Sequence, residues 1–429
     1  ISFKSKELQK FPKMLKKLLI RLGGNNLGLT RLKANLWSLA VIIVSTILLW
    51  PIVSLIVLSF GDSQGLWIHL FENVIFKYVT TTLILMVGVL VLALIFGVST
   101  AWIITRYNFP FKKYIDLMLI LPAACPAYLV AYAYTDFFEY AGPLQVGLRT
   151  LMGWSNASEY YFPEIRSIGG AIFVLGSVLY PYIFLLARTA FLQTPVNLLE
   201  ITSIYGRNKF WNVSFPIARP AIVAGAALVS MEVVSDFGTV EYFSLETLTL
   251  GIFNVWIGMN NITAASQISI FTFLFIILLL LVETRSRSEK RFNNNGRHQD
   301  QNFIIKIKSL KAIALISICF IPALCGFFIP VVILISNISQ FYSINELIII
   351  IPILKNTIIV ASLGAIIIVS IATFLACTTA AKGSKKLQNF TNISAMGYAF
   401  PGTMLAIGVL ITAGAIDNAI RHTFLFSYF

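Results

Sequence analysis

The sequence predicts an all-α, polytopic membrane protein, and three observations predict it. Of its 429 residues, 58% are hydrophobic and only 12% charged, with a mean hydropathy of +0.84. A soluble domain carries about a quarter charged residues. Apolar runs long enough to cross a core of about 30 Å, at about 1.5 Å per helical residue, recur throughout. Lys and Arg fall into alternate connections between those runs. The formal charge of +14 therefore answers to topology. A nucleic-acid partner is excluded, because no basic stretch adjoins a soluble module or an aromatic stacking platform.

In chain order, residues 1–35 form a basic segment in which Leu8, Phe11, Leu15, Leu18 and Leu22 alternate with Lys10, Lys13, Lys16, Lys17 and Arg21. That pattern predicts an amphipathic helix on the membrane surface, anchoring the first span against lipid. Spans follow at Leu36–Phe60, Val79–Ile104, Ile115–Ala133, Ile168–Ala187, Pro220–Val240, Ala264–Val282, Ala312–Ile335, Thr357–Ala381 and Ala395–Ala415. The first is too long for a signal-peptide core. With these nine, the chain start and every second connection hold 27 of the 32 Lys and Arg residues, leaving Lys77, Arg149, Arg166, Lys355 and Arg421 for the other side. The basic side, with the N-terminus, is expected to face the cytoplasm.

Cys125, Cys319, Cys325 and Cys377 lie in or beside apolar spans without metal-ligand spacing, and His69, His298 and His422 form no HExxH pair. No metal centre and no catalytic residue is expected. Residues 284–311 read as a polar cytoplasmic linker between two tandem repeats, 36–283 and 312–429. Leu36 and Ala312 lie 276 apart, Thr82 and Thr357 275 apart, and Pro122 and Pro401 279 apart. Weak internal symmetry of this kind accompanies a pathway formed between related halves.

The polar stretch 197–219 interrupts this apolar pattern. Glu200, Gly206 and Pro216 are spaced for a helix, a reversal and a restart on the membrane surface. Leu198, Leu199, Ile201, Ile204 and Tyr205 are expected to face bundle or membrane, with Glu200, Ser203, Arg207 and Lys209 toward water. The spacing resembles the coupling loop of ABC importer membrane subunits (Glu-Ala-Ala, three residues, Gly, about nine residues, an apolar residue and Pro), with Ile201 and Thr202 in place of the alanines. Further stretches, Trp102 to Pro110, Leu121 to Ala133, Tyr180-Pro181-Tyr182 and Asp236 to Phe243, are similar to the fused two-repeat permeases of ferric-iron importers, with thiamine permeases as near relatives.

The resemblance implies an ABC importer type I transmembrane domain in a bacterial inner membrane. It also implies two copies of a cytoplasmic ATPase and a periplasmic or surface substrate-binding protein as partners. Glu200, Thr202, Gly206, Arg207 and Pro216 are then the ATPase-coupling residues. No Gly-x4-Gly-Lys-Ser/Thr phosphate loop is present, so no cofactor is expected on this chain and ATP is used by the partner. By the repeat offset, a counterpart of Glu200 falls near 475–479. The chain is therefore read as a fragment whose second repeat stops short.

Glu232 and Asp236 lie four residues apart in the fifth span. They are candidate pathway carboxylates, and a pairing role that holds the bundle weighs equally. The competing readings are an ion-driven secondary transporter, a permease for thiamine or another small solute, and a membrane enzyme. The enzyme reading lacks a catalytic constellation on one helix face.

Overall fold

The structure, a computed structural model, describes residues 27–288, 305–307, 310–341, 344–382, 385–395, 397 and 400–423. The basic segment over Leu8–Leu22 and most of the linker lie outside the described residues. The described chain is almost wholly helical. Its long apolar helices include α1 (Leu27–Ser59), α3 (Ile75–Arg106), α7 (Ile168–Leu192) and α9 (Phe215–Ser235), with the short α2 (Leu66–Asn73) before α3. Only one pair of two-residue strands appears among these residues, β1 (Tyr107–Asn108) beside β2 (Ile305–Lys306) in parallel.

The third expected span, Ile115–Ala133, is not one helix. It consists of α4 (Lys112–Met118), a tight turn at Leu121–Ala124 and α5 (Ala127–Phe138), with the axis bent by 91°. The cause is local: Pro126 offers no N–H and disfavours helical backbone at Cys125, which is extended at φ −94°, ψ 124°. In the second half two separate helices are described over the corresponding stretch. There α16 (Lys385–Ala395) is followed by α17 (Gly402–Thr423), and Ala127 and Gly402 open the second pieces 275 residues apart.

Between these halves lie α6 (Pro143–Met152), α8 (Val196–Ile204), α10 (Gly238–Tyr242), α11 (Leu248–Phe253) and α12 (Ile262–Ser288). After β2 come α13 (Leu310–Ala323), α14 (Ile329–Phe341) and α15 (Ile344–Lys382). The fifth span also differs from its expected bounds, Pro220–Val240. Its helix ends at Ser235 because Asp236 turns extended and caps α10.

Packing divides the chain into two units that interleave along the sequence, one of residues 58–341 with 401–404 and one of 1–57 with 342–400 and 405–429. The larger unit is built around α7. A Cβ at Gly97 of α3 or at Gly225 of α9 would come within 2.9 Å of Ile183, so glycine sets how closely both helices approach α7. Pro181 leaves α7 unbroken, and Gly326 backs onto the Ser177 carbonyl, which that proline deprives of its helical donor. Helices α13 and α14 join this unit through Tyr134 Oη, donating to the Cys325 carbonyl at 2.6 Å, and Asn337 Nδ2, donating to Asp136 at 2.8 Å. Tyr180 Oη closes the broken span by donating to the Leu119 carbonyl at 2.8 Å. Arg188 grips Asp116 through two bonds, Nε donating at 2.8 Å.

In the smaller unit, α1 packs on second-half helices. Trp37 lies 5.7 Å from Phe374 between ring centroids, and Ser54 Oγ donates to the Gly408 carbonyl at 3.1 Å. Val41, Leu375 and Leu387 form its core.

Candidate functional site

The stretch 197–219 folds as one short helix, one tight reversal and the start of the next span. Three hydrogen bonds define the reversal: Tyr205 N–H donates to Ile201 O at 3.1 Å, Gly206 N–H to Ser203 O at 3.1 Å, and Arg207 N–H to Thr202 O at 3.0 Å. This is a Schellman ending, which requires a left-handed residue, and Gly206 supplies it at φ +63°. Asn208 then restarts the chain. Its Oδ1 accepts from Phe210 N–H at 2.9 Å and Trp211 N–H at 3.3 Å, the task of an N-cap.

The restart joins the membrane helix directly, without a second surface helix. Residues Phe210–Ser214 form one wide turn in which Phe215 N–H reaches back to Phe210 O. Pro216 follows at once, and the extra residue in that turn makes room for its ring and missing donor. The same device occurs at Leu324–Phe328 ahead of Pro330. Pro216 thus sits just inside the helix rather than opening it.

Only Leu199 and Thr202 of α8 are buried, and Thr202 Oγ1 is tied to the Leu198 carbonyl. Of the apolar side chains expected to face bundle or membrane, Leu199 packs on the bundle while Leu198, Ile201, Ile204 and Tyr205 are exposed, Ile204 by 82% and Tyr205 by 76%. Geometry explains the difference. Leu199 and Thr202 are three residues apart and span the narrow stripe that touches the bundle, so every other position of a short projecting helix points outward. Glu200 and Ile204, one turn apart, share an exposed face, and Ser203 and Arg207 are exposed beside them. Apolar and charged side chains are therefore intermixed on the outer surface.

Beneath the turn lies an aromatic bed. Trp102 meets Phe191 and Phe210 edge-on, with centroids 5.5 and 5.1 Å away, and Phe210 continues the cluster to Trp211 at 4.9 Å. Arg106, only 4% exposed, stacks over Trp102 and donates through Nη2 to the Phe191 carbonyl at 2.9 Å and toward Ser214 Oγ at 3.5 Å. One cation thus links the ends of α3 and α7 to the start of α9. The sequence held a signal for it, since Trp102 and Arg106 are one helical turn apart at the end of an apolar run, and for Asn208 as a capping residue two positions after a glycine.

Glu232 and Asp236 come together at a cavity of about 320 Å³ between the broken third span, α7 and α9, with Cys125 and Tyr182 also on its wall. Asp236 has a structural duty as well. Its carboxylate accepts from Thr239 N–H, Thr239 Oγ1 and Val240 N–H, each at 3.1 Å. Among the described residues no group of three or more His, Cys, Asp and Glu side chains is placed to hold a metal ion.

No protein-family model matches the chain. It is 28% identical over 236 residues to a probable sulfate transport system permease protein of Chlorokybus atmophyticus, covering 52% of this chain and 76% of that protein. An Fe(3+)-transport system permease protein of Haemophilus influenzae is 23% identical over 200 residues, covering 46% of this chain and 35% of that protein. A molybdate/tungstate transport system permease protein of Methanocaldococcus jannaschii is 23% identical over 175 residues, with shares of 40% and 65%. The chain thus spans well under two thirds of the ferric-iron relative. Its homologues are ABC transporter permeases rather than enzymes, and with its apolar spans the chain is a multi-pass membrane protein.

Proposed function

We propose that this chain is the membrane permease subunit of an ATP-driven importer, and that residues 197–219 meet a separate ATPase. The observation that carries this reading is the exposed apolar and charged surface around Gly206, held on a buried Arg106 and aromatic bed. Lipid is a poor partner for a face that pairs Ile204 with Glu200, whereas a protein groove accommodates both. Glu200, Thr202, Gly206, Arg207 and Pro216 then have distinct tasks. Thr202 seats the helix, Gly206 shapes the knob, Glu200 and Arg207 set polar register, and Pro216 joins the knob to α9. The cytoplasmic ATPase pair, closing on ATP, moves the knob and with it α9, shifting the permease between inward- and outward-facing states. A periplasmic or surface substrate-binding protein delivers the solute on the opposite side. The N-terminus lies in the cytoplasm, and the membrane is the bacterial inner membrane.

Ferric iron is the substrate this reading favours. Glu232 and Asp236 line the cavity beside α9, and a hard cation is attracted by carboxylate oxygens whereas sulfate or molybdate is repelled. The oxyanion reading rests on the relatives named for sulfate and molybdate. Uptake by proteoliposomes containing the full transporter decides between them. ATP-dependent ferric uptake, reduced by Glu232→Gln, is the expected result. Uptake of sulfate or molybdate in its place overturns the substrate, and uptake driven by an ion gradient without ATP overturns the importer.

A further inference from the structure

A second cleft, of about 640 Å³, opens beside the turn at the ends of α3 and α9. Three cations line it, Arg106, Arg207 and Lys209, and no carboxylate is among its described lining residues. Arg106 is 4% exposed, and its Nε finds no hydrogen-bond partner among the described residues although Nη2 is engaged. A buried guanidinium N–H without an acceptor is costly and marks a place where an acceptor belongs. Apart from Ser99 and Asn208, the remaining wall is aromatic and aliphatic, with Trp102, Trp211 and Ile318 prominent. Trp211 is 63% exposed and Ile318 45% exposed. The combination of clustered cations, a waiting donor and an apolar wall at the end of a membrane span suits a molecule that is anionic at one end and hydrocarbon at the other.

We propose that this cleft binds an anionic phospholipid of the basic-side leaflet, its phosphate among Arg106, Arg207 and Lys209 and its acyl chains along Trp211 and Ile318. The lipid braces the turn that carries Gly206, because Arg207 and Lys209 come from that turn while Arg106 comes from α3. The inference rests on the reading of this face as the cytoplasmic end of the bundle, where anionic lipids attract juxtamembrane cations.

The test is equilibrium binding of dioctanoyl phosphatidylglycerol to the purified full chain in detergent, followed by tryptophan fluorescence. Dioctanoyl phosphatidylcholine and inorganic phosphate are the comparison probes. Phosphatidylglycerol is expected to bind at least about tenfold more tightly than phosphatidylcholine, and each of Arg207→Gln and Lys209→Gln to weaken it by about fivefold. Arg207 is exposed and Lys209 half-buried, so these variants disturb the fold less than Arg106→Gln would, and the melting temperature of each is recorded beside its binding. Equal affinity for the two lipids, unchanged binding in the double variant, or displacement by inorganic phosphate at the lipid's own concentration overturns the proposal. No ATPase is needed for this measurement. Its failure leaves ATPase co-purification standing, and a missing ATPase leaves the lipid result standing.

Discussion

The turn around Gly206 and the cavity around Glu232 invert each other's chemistry. At the turn, large apolar side chains are exposed, Ile204 by 82% and Trp211 by 63%. At the cavity, two carboxylates stand inside an apolar bundle. The carboxylates break the rule of their apolar surroundings, and such departures are expected where structure serves function. The two also differ in how the backbone supports them. The turn is fixed by a Schellman ending, an Asn cap and a wide turn before proline, all within residues 201–216. The cavity is fixed by helices distant in sequence, with glycine contacts to Ile183 holding α3 and α9 against α7. A local device shapes the turn, and a non-local one shapes the cavity.

Substitutions can break that contrast, and the largest effect is expected at Gly206. A β-branched residue at φ +63° costs about 1–2 kcal/mol and reshapes the turn. Gly206→Val should therefore abolish most ATP-dependent uptake while leaving membrane insertion unchanged on a blot of the membrane fraction. Next comes Ile204→Glu, which leaves the backbone intact and replaces an exposed apolar anchor with charge. A loss of about tenfold in ATPase affinity is expected, as for a central interface residue, measurable by titrating the ATPase onto immobilised permease.

At the cavity the effects are smaller and separate by residue. Glu232→Gln should slow ferric uptake by about fivefold, the worth of about 1 kcal/mol of charge attraction. Asp236→Ala should act on stability first. Removal of the cap on α10 costs about 1 kcal/mol of stability, visible as a lower melting temperature, and Asp236→Asn should restore most of it because asparagine also caps.

Much of this was legible in the sequence because a membrane imposes length and charge rules on every span. The long helices α1, α3, α7 and α15 overlap their expected spans, while α9 begins and ends earlier than its own. The broken third span was hidden by its own hydrophobicity. Ile115–Ala133 is apolar apart from Asp116, and the pairing of Cys125 with Pro126 forces the bend. Gly206 was readable as a reversal because a left-handed position selects glycine. Which apolar side chains of α8 meet the bundle was not, since amphipathic patterning gives bundle and membrane as one face and does not resolve the narrow stripe of Leu199 and Thr202. For Arg106 the sequence displays only its one-turn spacing from Trp102, because its bonds to Phe191 and Ser214 depend on three helices meeting.

The central claim is that the turn docks an ATPase, and co-purification tests it most directly. The full-length permease is isolated in detergent with its candidate ATPase, as wild type and as Ile204→Glu. The account predicts an ATPase held by the wild type and lost from the variant, with equal amounts of permease recovered. An ATPase retained equally by both, or held by neither, would contradict it.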